Sequence, residues 1–320
     1  MDTSAARDKS MQGSRTPVIA RHGTVVLGIP AYNEGRYIER TLRSIQEQSH
    51  RDFIALISDN ASTDDTERIC RTFAEHDLRF IYVRQPTNVG ANDNFIFLRD
   101  ASESPFFAWI GGHDTVHADY VAHHVKRLQR EPSACGSFTY FQLIDENDRV
   151  LRNEGPAGVA PPEVGALLRY LWTVAAGEEL APMHGMFRRE MLARIPLRRC
   201  LAGDHVLIAA CTLLGPLRPL PGHLYQLRDL DRAPRTQSRP ERITGRSGMP
   251  MDFQSTVDGY LANFDLLIPV GTPGHCWRRV IHCMLKDRYS SRSLRWTKLI
   301  RTGIKRLDGV RRALGHRPIP

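Results

Sequence analysis

The chain has 320 residues, 41% apolar and 25% charged, enough for one large domain with an appendage and a sizeable core. No apolar run approaches the ~18 residues of a membrane span. The six cysteines contain no C-x-x-C pair, which argues against a disulfide framework or a structural zinc site. The net charge of +9 is confined to the tail: from Gly271 onward 13 Lys and Arg face only Asp287 and Asp308, and the remainder is close to neutral. No nucleic-acid-binding motif accompanies that tail, so no nucleic-acid partner is expected.

Residues 1–20 are polar and lack a hydrophobic signal region, so a mobile arm and a cytoplasmic location are expected. Thr24 to Pro30 (TVVLGIP) reads as a buried strand closed by proline. It is followed by an amphipathic helix with Ile38, Leu42 and Ile45 on one face, capped near Asn33. Phe53 to Ser58 is a second strand, and Ser62 or Thr63 can cap the helix after it. Arg79 to Arg84 is a third strand, followed by a Gly-containing turn and a helix.

Phe106 starts an aromatic-rich run, FFAWIGGHDTVHADY, that stops at two glycines before His113 and Asp114. It reads as a fourth strand delivering ligand-binding groups at its carboxyl end, where open α/β sheets collect their ligands. A helix from about Ala118 follows. Four alternations of strand and helix predict a doubly wound, mostly parallel sheet. After Arg130 come a hairpin turning at Glu146–Asn147–Asp148, a helix over 163–175, the segment HGMFRREML and a buried helix over 203–214. Residues 231–250 lack periodicity and read as a loop or lid. Helical patterns then resume over the basic region 251–320.

The combination VVLGIPAYNEGRYIERTLRSI, SDNASTDDT, RQPTNVGANDN and WIGGHD, in that order, resembles family-2 glycosyltransferases with the GT-A fold over about residues 22–228. The resemblance implies an inverting enzyme that moves a sugar from a nucleotide-sugar, with a UDP-sugar favoured by analogy. The acceptor would be a glycan or lipid-linked glycan, in surface polysaccharide or glycolipid assembly. Nucleoside contacts are expected from Pro30, Ala31, Tyr32, Glu34 and Asp59. Arg84 can stack on or hydrogen-bond the base, and Asn88 and Gly90 shape the next turn.

In the family's central loop two Asp residues stand at the positions of Gly111 and His113. A divalent cation, Mn²⁺ or Mg²⁺, is therefore expected on His113 and Asp114, the imidazole suiting Mn²⁺. The resemblance makes Asp204 the catalytic base, with Gly203 in place of the acid that often precedes it. His184 is expected on the acceptor side, and Arg228 and Arg232 at the leaving diphosphate. A catalytically inactive binding or scaffold protein and a nucleotidyltransferase are the alternatives. Apolar residues at helical spacing among the basic residues of 277–314 add an expected contact with an anionic membrane surface, so peripheral attachment is expected beside the cytoplasmic location.

Overall fold

The computed structural model describes residues 19, 23–155, 160–176, 181–200, 202–230, 253–268 and 270–289. The expected arm apart from Ile19, the 231–250 lid with Arg232, and the tail beyond residue 289 lie outside the described residues.

Alternation of strand and helix opens the chain: β1 (Val25–Ala31), α1 (Ile38–Gln46), β2 (Phe53–Asp59), α2 (Thr66–His76), β3 (Phe80–Arg84), α3 (Ala91–Asp100) and β4 (Phe106–Trp109). A two-residue β5 (Thr115–Val116) and α4 (Tyr120–Arg130) follow. The β6 (Gly136–Ile144) and β7 (Val150–Glu154) strands form the expected hairpin. Next come α5 (Ala166–Ala176), a helical turn at Ala181–His184, β8 (Met186–Arg188), the short α6 (Arg189–Leu192), α7 (Gly203–Leu214) and β9 (Leu217–Arg228). The described chain ends with α8 (Gln254–Leu267), a turn at Pro273–Trp277 and α9 (Arg278–Tyr289).

One sheet carries the molecule, in the order β3-β2-β1-β4-β8-β6-β9-β5, with β7 paired to β6. β1 to β4 are mutually parallel, as their alternation with helices requires. β8 joins antiparallel to both β4 and β6, while β6 and β9 run parallel. Burial on both faces explains the near-continuous apolar sequence of β1, in which Val25, Val26, Leu27 and Ile29 are all inaccessible. α1 buries Ile38, Thr41, Leu42 and Ile45, the stripe its periodicity announced.

Two local expectations are corrected. Asn33 does not cap α1, which starts at Ile38. It holds a left-handed conformation (φ 55°), its backbone N–H donates to Ser62 Oγ (2.9 Å) and its Oδ1 accepts the Thr63 N–H (2.8 Å). Ser62 and Thr63 are therefore spent on joining the β1–α1 loop to the β2–α2 loop, and α2 begins only at Thr66. Asn and Asp tolerate this conformation better than other residues with a Cβ.

β9 was not apparent in the sequence, because its Pro219, Pro221 and Gly222 read as breakers. The strand accommodates them by a register shift: Leu220 faces Thr139 and His223 faces Tyr140, so Pro221 and Gly222 bulge out. Gly222 takes a positive φ of 91° there. Two other contacts fix the exit of the β4–α4 segment. Thr41 Oγ1 donates to the Gly112 carbonyl (3.0 Å). The fully buried Gln48 donates to the His117 carbonyl (2.8 Å) and accepts from the Val121 N–H (3.0 Å).

A second apolar cluster joins α5 and α7 to α8 and α9, through Tyr170, Val174, Val206, Val257, Tyr260, Phe264, Ile281 and Leu285. The start of the basic region is thus docked on the sheet domain's own helix α7. Trp277 is 40% exposed, and α9 instead buries Ile281, Met284 and Leu285. No helix among the described residues is long and apolar enough to cross a membrane.

Candidate active site

The parallel register sets Ala31 beside Asp59 and Asp59 beside Arg84, a row across the carboxyl ends of β1, β2 and β3. Asp59 is fully buried. Its Oδ2 accepts from Tyr82 Oη (2.7 Å) and Arg84 Nη1 (2.7 Å), and its Oδ1 from the Ser62 N–H (2.8 Å). Burial and the Asp59 contact push the Tyr82 phenol upward. Arg84, one-third exposed, also donates to the Ser62 carbonyl (2.8 Å). Asp59 thus orients Arg84, which presents the outward edge of the row. Pro30 and Ala31 end β1 in this row, and Tyr32 follows the strand directly. Asn88 Oδ1 accepts from Asn60 Nδ2 and the Gly90 N–H, both at 2.9 Å, and Gly90 turns the chain with φ 86°.

β4 runs beside β1 and delivers the glycine loop next to Glu34. The Nδ1 of His113 lies 2.9 Å from Glu34 Oε1, and its Nε2 lies 3.9 Å from Asp114 Oδ1. Burial works against a charge on His113, but Glu34 and Asp114 outweigh it and raise the imidazole to about 9. Asp114 is 2% exposed. Its Oδ2 accepts from Tyr225 Oη (2.7 Å) and its Oδ1 from the Arg228 N–H (2.9 Å). A Cβ at Gly111 would come within 2.4 Å of Asp114 Oδ2. The residue at that position is therefore small because Asp114 is folded back onto β9, which gives a physical reason for the missing carboxylate.

Sequence reasoning missed Tyr225. It lies in the strand that the prolines concealed, and nothing in its neighbours signalled that it also accepts the Gly111 N–H (3.2 Å). The expectation for Arg228 needs restating. Its side chain is enclosed, donating to the His113 carbonyl (2.8 Å) and the Asp145 carbonyl and pairing with Asp148. It therefore ties the β6–β7 hairpin to the site loop and does not line the cavity.

A cavity of about 520 Å³ brings together His113, Asp114, His184 and Asp204. His184 ends the turn before β8, its ring 4.6 Å from that of Tyr225. Burial lowers its pKa against the pull of Asp114 and Asp204, so it is neutral at physiological pH. Asp204 sits in the first turn of α7, its Oδ1 accepting the His205 N–H (2.8 Å). The other carboxylate oxygen faces no described donor within hydrogen-bonding reach.

Residues 26–195, more than half of the chain, match the Glycosyl transferase family 2 domain. The chain belongs to glycosyl transferase family 2. The abequosyltransferase RfbV of Salmonella typhimurium is 37% identical over 89 residues, a segment spanning 27% of this chain and 26% of the relative. TarS of S. aureus, solved in complex with UDP-GlcNAc, superposes with a TM-score of 0.61 at 16% identity, covering 84% of this chain and 73% of TarS. A mannosyltransferase from Pyrobaculum calidifontis, in complex with GDP-Man and Mn²⁺, reaches 0.51 at 15% identity over 94% of this chain and 79% of its own. These likenesses confirm the GT-A plan of this family-2 chain.

No three His, Cys, Asp or Glu side chains among the described residues form a metal cage. The chemistry of the donor set nonetheless fits a partly solvated cation. A histidine whose far nitrogen is held by a carboxylate is the usual form of a metal-ligating imidazole, and Glu34 holds His113 in that way. His113 Nε2 and Asp114 would supply protein ligands, and diphosphate oxygens and water the others.

The sign of the pH effect follows from the raised imidazole. The His113 charge stabilises the fold fully below its ordinary 6.5, and that contribution is lost as pH rises through about 9. A cation must displace that proton. Its affinity should therefore rise about tenfold per pH unit between 7 and 8, levelling near 9. Titration of Mn²⁺ into the chain with nucleoside diphosphate present checks this, and a pH-independent affinity contradicts it.

Proposed function

We propose that this chain is an inverting glycosyltransferase that moves a sugar from a nucleotide-sugar to an acceptor hydroxyl. The observation that carries the reading is the single cavity joining the His113–Asp114 loop to Asp204, next to the row of Ala31, Asp59 and Arg84. The nucleoside lies along Pro30, Ala31, Tyr32, Asp59 and Arg84, with Asn88 and Gly90 shaping the neighbouring turn. Glu34 serves through His113 as much as through direct contact with the nucleoside. A UDP-sugar is the preferred donor, in keeping with the UDP-GlcNAc bound by TarS.

In the transfer step the acceptor oxygen attacks the anomeric carbon from the face opposite the diphosphate. Asp204 takes the hydroxyl proton as the new C–O bond forms and the bond to the diphosphate breaks. Positive charge spreads over the sugar ring, as in glycoside cleavage. A divalent cation on His113 and Asp114 would neutralise charge on the departing diphosphate. Neutral His184 lies on the acceptor side, where it can hold a hydroxyl. The inactive-scaffold alternative is disfavoured by the retained carboxylate at Asp204, and nucleotidyl transfer by the family match.

Assembly of a bacterial surface polysaccharide or glycolipid is the proposed setting, in keeping with a relative named for teichuronic acid biosynthesis. A lipid-linked acceptor would place the chain at the inner face of the cell membrane, with the basic residues of 277–314 against anionic lipid. Asp204→Asn preserves shape and the bond to His205 but cannot take a proton, so kcat should fall by about 10²–10⁴ with nucleotide binding intact. Retained turnover would reduce Asp204 to a helix-end residue. Co-sedimentation with anionic vesicles at low salt, lost on truncation after Ser290, is the expected behaviour of the tail. Equal sedimentation of the truncated chain would remove that role.

A further inference from the structure

The cavity lining combines polar side chains with a set of apolar ones. Phe95 and Ile96 of α3, Trp109 of β4, Met183 and Leu197 form the wall, and Leu207 of α7 closes it one turn beyond Asp204. Phe95 and Trp109 stack, ring centroids 5.9 Å apart. Trp109 spends its only polar atom on the Phe95 carbonyl (3.2 Å), so its ring offers nothing but an apolar surface. Most polar groups around the cavity are already engaged: Tyr225 with Asp114, His113 with Glu34, and Arg198 Nε with Asn263. Asn92 differs, its Nδ2 buried with no hydrogen-bond partner among the described residues.

On the transfer reading the sugar occupies this cavity, with the His113–Asp114 loop and Asp204 in the same lining, and so meets this wall. A hexose bound through C1 brings ring hydroxyls and a C6 hydroxymethyl group. Asn92 and the remaining donors of Arg198 can serve ring hydroxyls. Nothing on the wall of Phe95, Ile96, Trp109 and Leu207 can serve a further one. A hydroxyl buried there would lose its water without gaining a partner, whereas a methyl group would fill the same space favourably.

From this we infer that the donor is a nucleotide-linked 6-deoxyhexose, whose C5 methyl group packs on the Phe95–Trp109 pair. The inference rests on the transfer reading above and adds the class of sugar. The alternative occupant of the wall is an apolar part of the acceptor, in which case the donor's sixth carbon would be indifferent.

The test compares donors matched in stereochemistry: UDP- and dTDP-glucose and galactose, and GDP-mannose, each against its 6-deoxy counterpart. Binding and slow donor hydrolysis are both measured on the full chain with Mn²⁺. In the best-bound pair the 6-deoxy donor should lead by roughly 10- to 100-fold in kcat/KM, the discrimination an apolar pocket shows against an added hydroxyl. Ile96→Thr, which sets a hydroxyl in the wall, should narrow that ratio while leaving affinity for the free nucleoside diphosphate unchanged. If the parent hexose donor binds and hydrolyses as well as its 6-deoxy counterpart, the inference is overturned and the transferase reading stands. A folded chain that binds no nucleoside diphosphate overturns both.

Discussion

The contact between Glu34 and His113 is the point on which the site depends. It joins the loop after the first strand to the loop after the fourth, two segments separated by 79 positions in sequence. Each loop is separately braced. The first is stitched to the β2–α2 loop through Asn33, Ser62 and Thr66, with the Glu34 N–H donating to Thr66 Oγ1 (2.8 Å). The second is held from β9 by Tyr225 and Arg228. Because both sides are fixed, the imidazole has little freedom to turn away from the cavity, and its Nε2 stays near Asp114. A charge-assisted bond in a water-poor setting is stronger than its exposed equivalent.

This bracing accounts for the departure from the family's paired aspartates. One carboxylate is absent at Gly111, where any side chain would collide with Asp114 as oriented by Tyr225. Another is replaced by an imidazole whose charge is governed by Glu34. Negative charge at the loop is thereby reduced, as the proposed binding of a diphosphate there requires. Asp204 and His184 line the same cavity, and Gly203 stands where a second acid would precede Asp204. The cavity therefore carries two unlike polar groups: the braced His113–Asp114 loop and the carboxylate of Asp204.

The parallel half of the sheet was legible because burial on both faces demands continuous apolar runs, as in Thr24 to Pro30, and because each run is followed by an amphipathic helix. His113 and Asp114 were legible as candidates just past such a run and Asp204 as one at a helix start, and the cavity unites the three. The mixed half, in which β8 and β5 pair antiparallel but β6 and β9 run parallel, was harder to read. β9 contains two prolines and a glycine that the bulge absorbs, and that hid Tyr225 and the true place of Arg228. Asn33 and Ser62 looked like helix caps because the same side-chain oxygens that cap a helix can equally bridge two loops. Only the folding of β1 against β2 decides which partner they meet.

The central claim is that Glu34 and Asp114 together govern the proton on His113. Nitrogen-15 resonances of labelled histidine, followed over pH, read that proton directly. The structure predicts a His113 imidazole that titrates near 9 without metal, drops towards its ordinary value in Glu34→Gln, and loses its Nε2 proton when Mg²⁺ and nucleoside diphosphate are added at neutral pH. A His113 that titrates near 6.5 and ignores both the substitution and the cation would contradict the account.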